Sequence, residues 1–474
     1  MSLPQAININ SPELDYSAKI NNHSTCIYRS ITPQGSSSIT LGTTAGVVGP
    51  VEFIMPPSVF NPSKCRLNFS VNLGAAVVGG TATTNIFRWV NGNLGSILNR
   101  VVLYDSASSA IICDVSNFDK WTNMIAPSGE NLEKYLGKSS PAQATLPSVT
   151  EATGQAFPLE NLTRNNVATA ANFSGITTGT VAGSDYTGRR MWYISPTTTN
   201  DGTTCYLNVS LLFEDIFKFT ALSLNKNIYN PANMVCQVYF NPNDSFQFNS
   251  ASATDASVVN SVATGAIVSR LQVQLANEAN LNLVAQTIDL VMKQGVTLPV
   301  AYPTVTRQTF STTTAPSYQL QLTQGYGKRI LFLATSPFNL VAGATINYQN
   351  WHSAPRASLL QYQTTLNSVP IKTPAGFDCT KGDDWTIGNS SYLEKSPTQS
   401  QNYYINADWI HIDSFFGEKS LSDVDQTQVD GIDVSTQSQT FGFQATTASV
   451  AQTWITAIVG QKMLSLTSQG AIMS

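Results

Sequence analysis

Short stretches in which apolar and polar residues alternate recur along the whole chain. The segment 271–275 reads Leu-Gln-Val-Gln-Leu, and similar alternation occurs at 205–211, 318–322 and 409–413. A period of two is typical of antiparallel strands that bury one face. The pattern therefore predicts a chain made mostly of β-structure.

The C-terminal stretch carries a dense strand signal. An Asp-Gly turn at 430–431 precedes a short alternating run, and a glycine-containing run follows at 440–443. Residues 454–472 then form a largely apolar stretch around Gly460 and Gly470. A chain end of this kind is usually held in a sheet rather than left as a solvated tail. We therefore expect 454–472 to form paired strands inside the last domain.

Two tight connections between strands can also be predicted. Apolar runs at 100–104 and 110–113 flank a small polar segment at 105–109, which predicts a hairpin with a five-residue loop. The glycine-rich run 325–328 lacks the spacing of a phosphate-binding loop and predicts a turn between two strands.

Three short helices are predicted. Ser116 caps a segment with Phe118, Trp121 and Ile125 on one face, and a second segment runs over 128–137. The third spans 278–293 before Gly295, with a predicted apolar face formed by Leu281, Val284, Ala285, Ile288 and Val291. One such helix in mid-sequence predicts two β-domains joined by a connector, with domains at 1–295 and 296–474.

Three long stretches rich in Gly, Ser, Thr and Ala, at 73–85, 142–187 and 250–266, are too polar for strand cores. Strong strands follow each of them, which favours surface loops on a rigid barrel over disordered linkers.

A faint internal repeat supports two related domains. Asp-Lys-Trp-Thr at 119–122 precedes Leu-Glu-Lys at 132–134, and Asp-Asp-Trp-Thr at 383–386 precedes Leu-Glu-Lys at 393–395. Each copy follows a predicted hairpin.

The composition limits the classes of partner. Only 11% of the 474 residues are Asp, Glu, Lys or Arg, against roughly 25% in ordinary soluble domains. Neutral polar side chains replace the missing charge, and they cost less to desolvate than ions, so this surface is suited to burial against neighbours. The net charge of −4 and the absence of a basic arm argue against binding along a nucleic-acid backbone.

Cysteine usage and the chain start indicate a protein that is not secreted by a signal peptide. The chain begins without a charged segment and apolar run, and we expect no membrane span. The sequons at Asn68 and Asn208 lie in predicted strands and are interpreted as chance. The six scattered cysteines form no Cys-x-x-Cys pair and predict free, mostly buried thiols: Cys26, Cys65, Cys113, Cys205, Cys236 and Cys379.

Candidate catalytic chemistry is sparse. The three histidines, His23, His352 and His411, have no paired spacing that would predict a zinc site. Ser223 and Lys226 fit a Ser-x-x-Lys pattern, but no companion motif accompanies them. We therefore predict no catalytic, cofactor-binding or metal-ligating residues and no enzymatic activity.

Two groups of acidic residues are candidate sites. Asp423, Asp425, Asp430 and Asp433 could supply oxygen ligands to calcium, but the spacing of a known calcium loop is absent and a solvated loop is favoured. The adjacent pair at 383–384 beside Trp385 is poorly placed for a glycosidase, whose carboxylates lie about 5 Å or more apart across a cleft.

The tryptophans allow two interpretations. They could be carbohydrate-stacking platforms, but each has apolar neighbours, which favours packing in a core or between subunits. They are Trp89, Trp121, Trp192, Trp351, Trp385, Trp409 and Trp454.

Several segments, taken in order, carry a resemblance to a known family. They are an aromatic and leucine-rich stretch at 211–224, strands at 234–240 and 271–275 with the helix after it, the strand pair at 318–322 and 328–333, and the closing runs at 430–435 and 462–466. Together they resemble the double jelly-roll major capsid proteins of tailless icosahedral double-stranded DNA viruses, and 318–322 and 328–333 are similar to the opening strand pair of that family's second barrel. The resemblance covers most of 205–474. Because the chain is shorter than many members, it is similar to the smaller ones, those of virophages and polinton-like viruses.

The resemblance implies two consecutive eight-stranded antiparallel jelly rolls with a few short helices. It also implies a structural role, in which homotrimers of pseudo-hexameric outline contact one another and meet penton and minor capsid proteins in the virion shell. Direct sequence-specific binding of nucleic acid is not implied. The alternatives are a carbohydrate-binding β-sandwich adhesin or virion spike, and, less favoured, a glycan-processing enzyme.

Overall fold

Strands dominate the described residues. The computed structural model describes residues 24–42, 46–72, 86–89, 97–121, 192–194, 206–242, 247–250, 266–338, 359–378, 411–415, 431–447 and 449–474. The alternating segments each place one set of side chains in a core, which confirms the predicted all-β class. None of the described helices is long and apolar enough to cross a membrane.

The first half of the chain contains two described helices, α1 (Phe213–Ile216) and α2 (Leu281–Lys293). Its described strands are β1 (Cys26–Ile31), β2 (Ile39–Thr40), β3 (Val48–Met55), β4 (Val59–Phe60), β5 (Arg66–Asn72), β6 (Ile86–Trp89), β7 (Leu98–Asp105), β8 (Ile111–Ser116), β9 (Trp192–Ile194), β10 (Tyr206–Leu212), β11 (Ile228–Tyr229), β12 (Met234–Phe240), β13 (Gln247–Ser250) and β14 (Ile267–Glu278).

The second half follows α2 directly. Its described strands are β15 (Val296–Thr313), β16 (Ser317–Leu322), β17 (Arg329–Phe338), β18 (Leu359–Leu366), β19 (Val369–Pro370), β20 (Phe377–Asp378), β21 (His411–Ser414), β22 (Ile432–Asp433), β23 (Gln439–Thr447), β24 (Val450–Thr467) and β25 (Gly470–Met473).

Two main sheets form in the first half, apart from a small sheet β13-β6-β9. In sheet A, β14 pairs with β1 and β2 on one side and with β5 on the other, and β5 pairs with β10. Sheet B has the order β3-β12-β7-β8. With β1 and β2 as the first of eight positions and β14 as the last, the orders are 1-8-3-6 and 2-7-4-5. Two antiparallel sheets connected in this way form a jelly roll.

The second half repeats that order. Sheet C runs β15-β24-β17-β21, and sheet D runs β16-β23-β18-β19, with β20 also on β18. With β15 as the first position and β24 as the eighth, these orders are again 1-8-3-6 and 2-7-4-5. Every described ladder joins strands of the same half. The chain therefore folds as two jelly rolls with the same strand order.

Several predicted elements are confirmed. The hairpin of β7 and β8 has its loop at 106–110, and a 3-10 turn at Gln324–Tyr326 joins β16 to β17. Strands β24 and β25 form the predicted C-terminal pair. The helix predicted after Ser116 is described over 118–121, where the rings of Phe118 and Trp121 are fully buried. Its predicted cap was wrong, because Ser116 ends β8 and the Asn117 carbonyl accepts the first helical N–H groups; Ile125 lies outside the described residues.

One prediction about the second roll was wrong. The resemblance predicts that 318–322 and 328–333 open this roll as a strand pair, but β16 and β17 lie in different sheets, and the roll opens with β15. Pro299 and Pro303 interrupt the alternation of β15. They are tolerated because β15 is the edge strand of sheet C and need not donate to a second neighbour.

Other predictions fall outside the described residues. They are the helix over 128–137, the second copy of the repeat at 383–395, and almost all of the three long polar loops.

Candidate functional site: the joint between the two rolls

The outward face of sheet C is apolar and buried. Along β24, every residue from Gln452 to Gln461 is buried, so this strand has no solvent-facing side. The side chains that point into the second roll pack in its own core, among them Trp454 and Ile458. Those that point outward join the core of the first roll: Ala301, Val305, Phe332, Ala334, Ile412, Ile455, Ala457 and Val459. We call this contact the joint.

The connection between β10 and β12 supplies much of the first roll's side of the joint. The ring of Phe219 packs edge-on against Phe332 of sheet C, with centroids 5.0 Å apart. A 3-10 turn over Ala221–Ser223 follows and lies against β15. Thr220 caps this turn, because its Oγ1 accepts from the Leu222 N–H at 3.2 Å and donates to the Phe217 carbonyl at 2.6 Å. The cap fixes where Phe219 enters the joint.

Ser223 has a structural part in the same turn. Its Oγ donates to the Thr220 carbonyl at 3.0 Å and lies 3.4 Å from the Thr220 N–H, completing a capping box. Lys226 lies in the exposed segment that follows. The Ser-x-x-Lys spacing thus reflects a capped turn.

A buried carboxylate forms a second part of the joint. Asp105, at the end of β7, accepts from the Ser108 N–H at 2.8 Å and from the Asn230 amide at 2.6 Å. The Ser108 hydroxyl lies 2.7 Å from both the Asp105 carboxylate and the Ala471 carbonyl of the C-terminal hairpin. At Gly470 the backbone has a φ of +118° and passes so close that a Cβ would lie 2.7 Å from the carboxylate.

Sequence reasoning missed Asp105 and Phe219. Asp105 was assigned only to a hairpin loop, and Phe219 only to an aromatic stretch. The signal for their partner surface was present, however, since Trp454 to Val459 is an almost unbroken apolar run. Such runs are consistent with strands that are buried on both faces.

Helix α2 connects the rolls and contacts strands of both, namely β4, β11, β14 and β24. Asn280 caps its start by accepting from the Asn282 N–H. The predicted apolar face is only partly buried: Val291 is in the core, but Leu281 is 80% exposed. The reason is that the helix lies across the side of the rolls, and only its last turn enters the joint.

A polar cluster lies inside the second roll. His411 Nδ1 is 2.9 Å from the Tyr362 hydroxyl, and its Nε2 is 3.0 Å from Asp413 Oδ1, which also accepts from Thr364. The Lys372 ammonium donates to the Ile412 carbonyl and lies 4.0 Å from Asp413.

This arrangement could pass a proton between ring and carboxylate, but His411 and Asp413 are fully buried, so no substrate reaches them. Burial lowers the pKa of His411, although the Asp413 charge opposes this. Burial acts to raise the pKa of Asp413, but its interactions with His411, Lys372 and Thr364 together outweigh burial, so this pKa is also lowered. Burial lowers the pKa of Lys372 to about 8.

The remaining candidates show no common site. Within the described ranges, no three His, Cys, Asp or Glu side chains converge as metal ligands. Of the acidic group at 423–433, only Asp433 is described, and it accepts from the Ser435 N–H at 2.8 Å. His23, His352 and the pair at 383–384 lie outside the described residues.

The described cysteines are free: Cys26, Cys65, Cys113 and Cys236. Burial raises the pKa of Cys65 and of Cys236 to about 12, which keeps both as thiols at neutral pH. Of the tryptophans whose side chains are described, Trp121 and Trp454 are buried in core clusters, which confirms packing rather than carbohydrate stacking for these two.

No model of a known protein family and no curated protein matches the chain. Among solved structures, the chain is similar to one from the Sputnik virophage cryo-EM structure, with 11% identity, a TM-score of 0.49, and coverage of 94% of this chain and 89% of that one. A chain of the PBCV-1 virus capsid model has 9% identity and a TM-score of 0.48, and the match covers 96% of this chain and 97% of that one. The mavirus major capsid protein has 9% identity and a TM-score of 0.47, and the match covers 100% of this chain and 95% of that one. Capsid proteins are the class that the sequence resembles.

Proposed function

We propose that this chain is a major capsid protein that forms homotrimers of pseudo-hexagonal outline in an icosahedral virion shell. The observation that carries this proposal is the joint. Two rolls with the same strand order are connected by an apolar core that runs from the first roll to the outward face of sheet C, which supports a single rigid building unit. A shell protein needs such rigidity, because the angle between neighbouring subunits sets the curvature of the shell and a flexible subunit would not hold that angle.

The number of equivalent rolls supports the proposed trimer. Three copies around an axis would present six rolls of equal topology, which gives a particle with threefold symmetry and a nearly sixfold outline. Closed rotational symmetry of this kind is common among homo-oligomers. Hexagonal units can tile a shell, and closure then requires pentagonal vertices. We therefore infer a penton protein and minor capsid proteins as partners.

The low charge content supports large contacts between copies. Only 11% of the residues are charged, and desolvating amides and hydroxyls costs less than desolvating ions.

We also propose the domain limits 1–295 and 296–474 for the two rolls, with α2 as the connector between them.

Electron microscopy of the purified protein tests the proposal. We expect class averages with threefold symmetry and a roughly hexagonal outline, and closed shells under assembly conditions. Particles the size of one chain, without rotational symmetry, would contradict it. Saturable binding of a glycan by such single chains would instead favour the adhesin or spike function.

A further inference from the structure

The outward face of sheet D contains no ionisable side chain at its ten central positions. Strands β16, β23 and β18 place three, four and three residues there, in register across the sheet. We call this surface the glutamine face, and it consists of Ser317, Gln319, Gln321, Gln361, Gln363, Thr365, Thr440, Gly442, Gln444 and Thr446. Most of these side chains are exposed or half-exposed.

The equivalent face of the first roll is different. Sheet B carries Glu52, Arg100 and Asp114 on its outward side, with Arg100 and Asp114 in a two-pronged ion pair at 2.7 and 2.6 Å. A neutral face is therefore not a general property of this sheet position. It distinguishes the second roll.

The amides of the glutamine face are held in place. Gln444 donates to the Gln363 side chain at 2.8 Å, and Gln363 in turn donates to the Pro374 carbonyl at 2.8 Å. Gln361 donates to the Ala375 carbonyl at 3.1 Å. These bonds reduce the side-chain entropy that a contact would otherwise cost. The face, Ala375 and Gly376 line a groove of about 350 Å³.

We propose that the glutamine face is a contact between two copies of this chain that belong to neighbouring trimers. This inference rests on the proposed function. An amide offers both a donor and an acceptor, so the face is complementary to itself, as a twofold contact requires. The chain carries a net charge of −4. Two copies of the face can approach at their neutral central positions without repulsion between like charges, while Asp378, which pairs with Gln361, lies at the edge of the face.

The other broad faces of the second roll leave this one available. Sheet C is buried on one side by the joint and on the other by the core that it shares with sheet D. Leu360 and Val369, on strands of sheet D, are 43% and 65% exposed, and they add apolar area beside the amides. This combination suits a protein surface better than a charged ligand.

Charge reversal at the centre of the face tests this proposal. Gln444→Lys places two like charges opposite each other in a twofold contact, and Gln444→Glu does the same with the opposite sign. We expect each variant to need an about tenfold or higher concentration for association of trimers, measured by sedimentation velocity. An equimolar mixture of the two variants should recover the wild-type association. The matched control is Gln286→Lys, on an exposed position of α2.

Native mass spectrometry, done first, separates this inference from the proposed function. If the wild type is not a trimer, the proposed function fails; if the variants remain trimers, the association measurement concerns the glutamine face alone. Association of Gln444→Lys at the wild-type concentration would overturn the inference, as would a wild type whose trimers do not associate. It would also be overturned if the mixture did not recover, or if Gln444→Lys abolished binding of a neutral oligosaccharide without changing association.

Discussion

Sheet A and sheet C occupy the same position in their rolls, yet they differ in what they bury. In β14 of sheet A, Leu271, Val273 and Leu275 enter the core, while Gln272 and Gln274 face outward and are half-exposed. In β24 of sheet C, both sets of side chains are buried. The same strand order thus supports a sheet that is buried on one face and a sheet that is buried on both faces. The outward residues decide which of the two forms.

The difference explains how two rolls become one unit. An alternating strand gives a roll an independent surface, whereas an unbroken apolar strand requires a second partner. Each fully buried apolar side chain contributes about 1.5–3 kcal/mol. The outward residues of sheet C therefore stabilise the joint by an amount comparable to the stability of a whole domain, about 5–15 kcal/mol.

Truncation after Ala451 should have the largest effect. It removes most of the central strand of sheet C, which pairs with β15 and β17, together with the outward side chains that β24 contributes to the joint, Ile455, Ala457 and Val459. We expect insoluble or unassembled protein in a fractionation assay. Removal of only Met473 and Ser474 serves as the control and should leave the protein soluble. A soluble trimer of the truncated chain would mean that this segment is peripheral.

A carboxylate introduced on the outward face of each sheet sharpens the comparison. Ala457 is fully buried on the outward face of sheet C, and Ser70 is half-exposed on the outward face of sheet A. Ala457→Asp should lower the free energy of unfolding by about 3–5 kcal/mol, because the carboxylate has no partner there. Ser70→Asp should change it by less than about 1 kcal/mol. Denaturant titration measures both, and equal losses would show that the joint is not closed to water.

Much of the fold could be predicted from the sequence, because alternation identifies strands such as β14 and β16 directly. Strand β15 was missed because two prolines break its pattern, and their tolerance depends on its edge position. The exposure of Leu281 depends on where α2 crosses the rolls, which periodicity alone does not contain. The cluster around His411 joins residues about 50 positions apart in sequence, such as Tyr362 and Asp413, and no local motif signals it.

Acid should weaken the second roll through His411. Its pKa is lowered in the folded protein, so the unfolded chain takes up the proton as the pH falls below about 6.5. Stability is then lost at up to about 1.4 kcal/mol per pH unit. The lowered pKa of Asp413 acts in the same direction at lower pH. NMR of labelled imidazole groups should show His411 titrating below the ordinary value of about 6.5, and titration at or above that value would contradict its burial.

Glu278 should give a smaller acid effect in the first roll. Burial acts to raise its pKa, but hydrogen bonds from Ser24, Asn280, Thr25 and Asn227 lower it to about 2. Its contribution to stability is therefore present above pH 4.5 and is lost as the pH falls toward 2. Glu278→Gln should cost about 1–2 kcal/mol at pH 7. The difference between variant and wild type should shrink at pH 3, and a constant difference would contradict the lowered pKa.

The mass of the native protein tests the central proposal most directly. The two rolls are joined through sheet C, which is buried on both faces, and the chain has few charged residues. We therefore expect the protein to form homotrimers. Native mass spectrometry at micromolar concentration should therefore give three times the chain mass of 51.0 kDa. A stable monomer under the same conditions would contradict the assignment as a capsid building block.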